Sequence, residues 1–188
     1  MKKIALLRGV TPVGQNKIPK MSYLDQILEE AGLNKVKTYI QSGNIIFETD
    51  LSDKEVAQLI HDTIKSKIGA DLAVIIKEPK QFEVTVAENP FDDSYDSSRI
   101  HLVFTNDEIN RLKLDQLLSQ DFGDEEIHVG SQCLYMYLPR NAKKKRLNTN
   151  YLEKQLGIVA TMRKLSVVSR LSEMVRENKM DYGKENQN

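Results

Sequence analysis

The chain has 188 residues, of which 40% are hydrophobic and 29% are charged, a composition typical of a globular protein that buries its own core. Its 27 Lys and Arg residues are balanced by 27 Asp and Glu residues, which excludes the strong positive field that supports non-specific binding to nucleic acid. No apolar run approaches the roughly 18 residues of a membrane-spanning helix. The single cysteine, Cys133, excludes an internal disulfide, so we expect a soluble protein of the reducing cytoplasm.

The first part of the chain predicts the element order βαββαβ. Apolar residues there either form short β-type runs or recur at helical spacing. The predicted elements are a strand at 4–7, a helix at 21–31, strands at 36–40 and 44–47, a helix at 52–68 and a strand at 72–76. Ser52 and Glu55 form a capping-box pattern at the start of the second helix, and Gly32 and Gly69 follow the two helices as C-caps do.

The same element order begins again near residue 100, after a connecting segment at 79–98. We expect this segment to hold a helix at 79–89 and an exposed linker, 89–98, that is rich in Asp, Ser and Pro. Thr105 and Glu108 form a second capping-box pattern, which predicts a helix that ends at Gly123. The other predicted elements are strands at 100–104, 127–129, 133–138 and 158–161, and helices at 147–156 and 165–175.

These two series predict an α+β fold made of two tandem ferredoxin-like βαββαβ subdomains with antiparallel sheets. In this topology two helices cover one face of a four-stranded sheet. The first subdomain is expected at 1–78, and the second, with its C-terminal helix, at 99–178. The last ten residues, 179–188, are expected to form a flexible tail.

Several strings of the sequence are similar to one bacterial family. The most specific is Thr38-Tyr39-Ile40-Gln41-Ser42-Gly43-Asn44, and Leu7-Arg8-Gly9, Asn89-Pro90-Phe91 and Leu156-Gly157 are further landmarks. Over about residues 2–175 the chain resembles the family catalogued as domain of unknown function 1697. The resemblance implies a pair of ferredoxin-like subdomains and supplies no catalytic residues. The segments 10–14 and 164–165 depart from the family's usual pattern.

The topology itself predicts one ligand site. In a βαββαβ sheet the first strand lies beside the third, so the end of the first strand meets the turn that precedes the third. The residues expected at this edge are Arg8, Gly9, Gln41, Ser42, Gly43 and Asn44. A fixed cation, neutral polar groups and glycines suit a small anionic or nucleotide-like ligand, such as a phosphate or a carboxylate. The alternative is that Arg8 pairs with an acidic residue and that the Ser-Gly-Asn string is only turn chemistry.

A second hypothesis is a nucleic-acid-associated module. It would use the basic run Lys143, Lys144, Lys145 and Arg146 together with Tyr135 and Tyr137, which alternate on one strand and share a sheet face. The alternatives are a solvated loop and tyrosines that pack against the other half of the chain.

A third hypothesis is an enzyme at the Arg8 edge, whose catalytic residues are unknown because the local sequence supplies no clear general base. The pattern Gly9-x4-Gly14 lacks the Lys and Ser or Thr of a P-loop. His61, His101 and His128 have no paired spacing for zinc, so we expect no metal site and no cofactor.

Overall fold

The computed structural model describes residues 1–40 and 43–185, and within 178–185 only the backbone. These residues divide into two compact units, Met1–Pro79 and a second unit that begins at Lys80. None of the described helices combines the length and the apolar character that crossing a membrane requires.

The first unit has the predicted order of strands and helices. Its elements are β1 (Lys2–Arg8), α1 (Met21–Glu30), β2 (Asn34–Tyr39), β3 (Asn44–Glu48), α2 (Asp53–Lys67) and β4 (Ala73–Lys77). The sheet has the order β2-β3-β1-β4, and every neighbouring pair is antiparallel. This is the ferredoxin-like arrangement that the sequence predicts.

Both helices of the first unit pack on the same face of the sheet. Ala5 and Leu7 of β1 point to this face and lie in one apolar cluster with Phe47, Ile27 of α1 and Ile60 of α2. Burying each Leu, Ile or Phe side chain stabilises the fold by about 1.5–3 kcal/mol. Since side chains alternate along a strand, Leu6 and Arg8 belong to the opposite face.

The capping box predicted for the second helix is confirmed. The Ser52 hydroxyl accepts from the Glu55 backbone N–H at 3.2 Å, and the Glu55 carboxylate accepts from the Ser52 N–H at 2.9 Å. Acidic residues in the first turn and the basic residues Lys65 and Lys67 in the last turn also complement the helix dipole. Local sequence signals therefore determine both ends of α2.

The second unit repeats this order and adds a helix at each end. Its elements are α3 (Pro79–Ala87), a short 3-10 helix (Ser97–Arg99), β5 (Ile100–Thr105), α4 (Arg111–Leu118), β6 (Glu126–Val129), β7 (Leu134–Tyr137), α5 (Thr149–Leu156), β8 (Ala160–Lys164) and α6 (Leu165–Glu185). The sheet order is β6-β7-β5-β8, again antiparallel throughout. Residues 186–188, the last part of the expected tail, lie outside the described residues.

The second predicted capping box is wrong. Helix α4 begins at Arg111, and its N-cap is Asn110, whose side chain accepts from the Lys113 N–H at 3.0 Å. The Thr105 hydroxyl lies too early in the chain to cap this helix: Thr105 is the last residue of β5, and its hydroxyl accepts from the Asp107 N–H at 3.0 Å and donates to the Val159 carbonyl at 2.6 Å. The helix also ends at Leu118, so Gly123, expected as its terminator, lies in the connection that follows.

Helix α3 belongs to the second unit and covers a sheet face. The Phe82 ring of α3 stacks on Phe104 of β5 with centroids 5.1 Å apart. The hydroxyl of Tyr135, on β7, donates to the Thr85 carbonyl at 2.6 Å. Phe104 and Tyr135 alternate with strand residues that pack on α4 and α5, so α3 lies on the opposite face of the sheet.

The linker that precedes β5 is anchored at one aromatic residue. Phe91 is buried, with its ring centroid 4.9 Å from that of Tyr95 and 5.8 Å from that of Tyr137. The expectation of an exposed segment at 89–98 is therefore wrong at Phe91, because this apolar ring packs against Tyr137 of β7.

Candidate functional site

The predicted meeting of the first strand with the turn before the third is confirmed at the backbone. Leu6 lies opposite Asn44 in the ladder, and the Leu7 N–H donates to the Gly43 carbonyl at 2.9 Å. Arg8 is the next residue and ends β1, so it lies beside this turn. Gln41 and Ser42, the other expected site residues, lie outside the described residues.

Arg8, the predicted cation of this edge, is the last residue of β1. Its side chain is half-buried, and its strand partner on the other side is Ala73, a small residue at the start of β4. A guanidinium stays protonated at any physiological pH and presents several donors in one plane. The edge therefore carries a permanent positive charge in a partly desolvated place.

Gly43 is explained by packing rather than by a ligand. Its φ is +78°, and a Cβ added there would lie 2.7 Å from the Cβ of Leu7. Both the left-handed backbone and the close approach to β1 require glycine. The residue is also buried, so its backbone is covered by the protein itself.

The Asn44 side chain serves the hairpin. It is fully buried, and its amide nitrogen donates to the Tyr39 carbonyl at 3.0 Å. This bond closes the turn between β2 and β3, as Asn commonly does in turns. For Gly43 and Asn44 the structural alternative given above therefore accounts for the residue types, and the ligand-contact role stays a prediction.

The first loop, 9–20, is ordered by its own hydrogen bonds. The Thr11 N–H donates to the Asn16 carbonyl at 3.1 Å, and the Thr11 hydroxyl donates to the Val13 carbonyl at 2.8 Å. Gly9, with φ +96°, is exposed at the start of the loop. The loop is tied to the segment before β4 because the Asn16 side chain accepts from the Asp71 N–H at 3.1 Å.

A histidine between two carboxylates fixes this segment, and sequence analysis missed it. The Nδ1 atom of His61 lies 3.0 Å from Asp62 Oδ1, and its Nε2 atom lies 2.8 Å from Asp71 Oδ1. The hydrogen bonds to Asp62 and then to Asp71 raise the pKa of His61, and the pKa of each carboxyl is lowered chiefly by its bond to His61. No short-range pattern could reveal the pair, since His61 and Asp71 lie on either side of the end of α2.

In the basic run of the second hypothesis, Arg146 makes contacts within the protein, and the three lysines are exposed. The Arg146 guanidinium lies 5.0 Å from the centre of the Phe122 ring and donates to the Gln120 side chain at 2.8 Å and to the Asp121 carbonyl at 3.2 Å. Lys143, Lys144 and Lys145 are exposed.

The two tyrosines of the nucleic-acid hypothesis differ in burial. Tyr135 is buried under α3, and burial raises the pKa of its hydroxyl. Tyr137 is half-buried, packs edge-on against Tyr95, and accepts from the Asp96 N–H at 3.3 Å. The buried Tyr135 ring cannot stack on a base in this conformation, so the arrangement does not favour the nucleic-acid hypothesis.

Residues 1–40 and 43–177 form no cluster of metal-ligating side chains. There, no three side chains of His, Cys, Asp and Glu come together in a way that could hold an ion. Cys133 is a buried thiol near the start of β7.

The chain is similar to a described protein family and to a solved structure. The family model described as "Protein of unknown function (DUF1697)" matches residues 1–135. The chain belongs to the DUF1697 family. The resemblance seen in the sequence is thus confirmed, and the family is one without an assigned function.

A solved structure is similar over nearly the whole chain. It is the conserved bacterial protein SP0830 from Streptococcus pneumoniae, with 21% sequence identity and a TM-score of 0.74, covering 93% of this chain and 98% of that one. At this identity the likeness shows the fold alone, which is the predicted α+β pair of ferredoxin-like subdomains. No curated protein matches the chain.

Proposed function

We propose that this DUF1697 protein binds a small anionic ligand, such as a nucleotide or another phosphate ester, at the edge formed by Arg8, Gly9 and the turn at 41–44. The observation that carries the proposal is the hydrogen bond from the Leu7 N–H to the Gly43 carbonyl. It brings the end of β1, and with it a permanent cation, against the turn whose sequence is the most specific part of the family resemblance.

Three features of the edge support ligand binding, and the first of them favours an anion. Arg8 is partly desolvated, which strengthens its charge-assisted hydrogen bonds. Gly9 is exposed and left-handed, so its backbone can approach a ligand closely. The loop that follows it is held in place by Asn16, which reduces the entropy lost on binding. We also propose a cytoplasmic location, which the single, buried cysteine supports.

A thermal-shift screen tests the proposal. The melting temperature is measured with nucleotides, sugar phosphates and dicarboxylates. The same ligands are tested on the original protein and on the variants Arg8→Ala, Arg8→Lys and Arg111→Ala. A ligand at 100 times its dissociation constant stabilises the native state by about 2.7 kcal/mol. Loss of a charged hydrogen bond worth about 1.5–3 kcal/mol should weaken binding to Arg8→Ala by about tenfold to a hundredfold.

The two other variants define the role of the guanidinium. Arg111 is an exposed arginine on α4, paired with Asp115, and its replacement should leave every ligand-induced shift unchanged. Arg8→Lys keeps the charge but loses the planar donor set, so an intermediate affinity is expected. The proposal is wrong if no anion shifts the melting temperature, or if each hit stabilises Arg8→Ala as much as the original protein.

A further inference from the structure

A groove in the second unit has the volume of a small-molecule site and a mostly charged lining. It encloses about 540 Å³ and is lined by Asp121, Phe122, Asp124, Lys143, Lys144 and Arg146. This volume lies within the roughly 300–1,000 Å³ that ligand sites for small molecules occupy. The groove lies within one unit and shares no residue with the Arg8 edge.

The wall that carries the lysines is fixed by a buried carboxylate. Glu125 is almost fully buried, and its Oε1 atom accepts from the backbone N–H groups of Arg146 at 2.6 Å and Leu147 at 3.0 Å. The Asp124 carboxylate also accepts from the Lys143 N–H at 3.4 Å. These bonds cross from the connection before β6 to the basic run, and so hold the loop against the opposite wall of the groove.

Arg146 lies at one side of the groove, where its guanidinium makes several contacts within the protein. Its guanidinium lies over the Phe122 ring and near Tyr151, with centroid distances of 5.0 and 5.8 Å, and two of its nitrogens donate to Gln120 and Asp121. Its donors and its ring contacts are thus largely used within the protein. The arginine therefore acts as a brace between the two walls.

The side chains of Lys143 and Lys144, unlike that of Arg146, are not engaged in polar contacts within the described part of the protein. Both are exposed, and over the described part of the chain neither side chain forms a hydrogen bond or an ion pair. Two consecutive lysines that both line the groove, on a loop held by hydrogen bonds, are suited to a phosphate dianion. This half of the groove is positively charged.

The other half of the groove carries two carboxylates, Asp121 and Asp124, which can accept hydrogen bonds. Asp121 Oδ1 accepts from the Gly123 N–H at 2.8 Å, and Asp124 accepts from Lys143, but each carboxylate has further lone pairs for hydroxyl groups. The same two carboxylates would repel a continuous polyanion. A nucleic-acid backbone is therefore a poorer occupant than a small molecule with a phosphate at one end and hydroxyls at the other.

From this division of charge we propose that the groove is a second binding site, which holds a phosphorylated polyol such as a sugar phosphate. The phosphate lies between Lys143 and Lys144, and the hydroxyls donate to Asp121 and Asp124. The site does not depend on ligand binding at Arg8.

Isothermal titration calorimetry with ribose 5-phosphate tests the site on the full chain. The double variant Lys143→Ala/Lys144→Ala should weaken binding by more than about tenfold, the loss expected for a charge-assisted hydrogen bond. Lys145→Ala, a matched change in the same loop outside the groove, should change the affinity by less than about twofold because exposed charges away from a ligand contribute little.

A second pair of measurements separates the two halves of the groove. Asp121→Asn should weaken the binding of ribose 5-phosphate, because the proposed site places the ligand's hydroxyls against Asp121. It should not weaken the binding of inorganic phosphate. Arg8→Ala should leave ribose 5-phosphate binding intact. If Arg8→Ala lost binding and the groove variants kept it, the ligand would be bound in the first unit, and the proposed groove site would be wrong.

Three other results would also overturn it. They are an unchanged affinity in the double lysine variant, no heat with either probe up to millimolar concentration, and tighter binding of a short single-stranded oligonucleotide with a steep salt dependence. The last result would assign the groove to nucleic acid.

Discussion

Replacing Gly43 by alanine tests how closely the turn packs on the first strand. The residue has φ +78°, a conformation that costs an L-amino acid about 1–2 kcal/mol. The new Cβ would also lie 2.7 Å from the Cβ of Leu7, closer than two carbon atoms can approach, and such overpacking costs about 1–3 kcal/mol. We therefore expect the free energy of unfolding to fall by about 2–5 kcal/mol in total.

Gly69→Ala is the matched control for this change. Gly69 has a similar φ of +86° at the end of α2, but nothing lies within 4 Å of the position that its Cβ would take. Only the backbone cost of about 1–2 kcal/mol should appear there. Urea denaturation followed by circular dichroism measures both losses, provided that the slope with denaturant is unchanged. Equal losses in the two variants would refute the argument that close contact with Leu7 requires glycine.

Two further changes test buried and pH-dependent contacts. Tyr135→Phe removes the hydroxyl that donates to the Thr85 carbonyl and should lower the free energy of unfolding by about 1–3 kcal/mol, as for any buried polar group left unpaired. A loss below about 0.5 kcal/mol would contradict this. The raised pKa of His61 means that its contribution is complete below pH 6.5 and is lost as pH rises through the folded-state pKa. The original protein should therefore lose more stability between pH 6 and 8.5 than His61→Gln does, and parallel curves would exclude the effect.

Helix starts show where local sequence suffices and where it does not. The pattern of Ser52 and Glu55 predicted α2 correctly, because both capping bonds join residues three apart. The same pattern at Thr105 and Glu108 failed, because Thr105 is the last residue of β5 and its hydroxyl accepts from the Asp107 N–H, while α4 begins six residues later. The element order was predictable from apolar spacing, whereas the start of α4 was not, because its cap is Asn110, downstream of the capping-box pattern.

The candidate site was also predictable only in part. The neighbour relation between β1 and the turn followed from topology alone, and the ladder confirms it. Whether Gly43 and Asn44 serve a turn or a ligand could not be predicted, because both uses favour the same residue types. The His61–Asp71 and Glu125–Arg146 contacts were invisible for a simpler reason: each joins residues ten or more positions apart, across the end of a helix or a strand pair.

The position of helix α3 determines where the chain can be divided. Phe82 and Thr85 of this helix cover Phe104 and Tyr135, so a fragment that began at β5 would expose two large aromatic rings to water. Bare aromatic surface of that kind promotes aggregation. Anyone who expresses the second half by itself should therefore retain the residues from Lys80 onward.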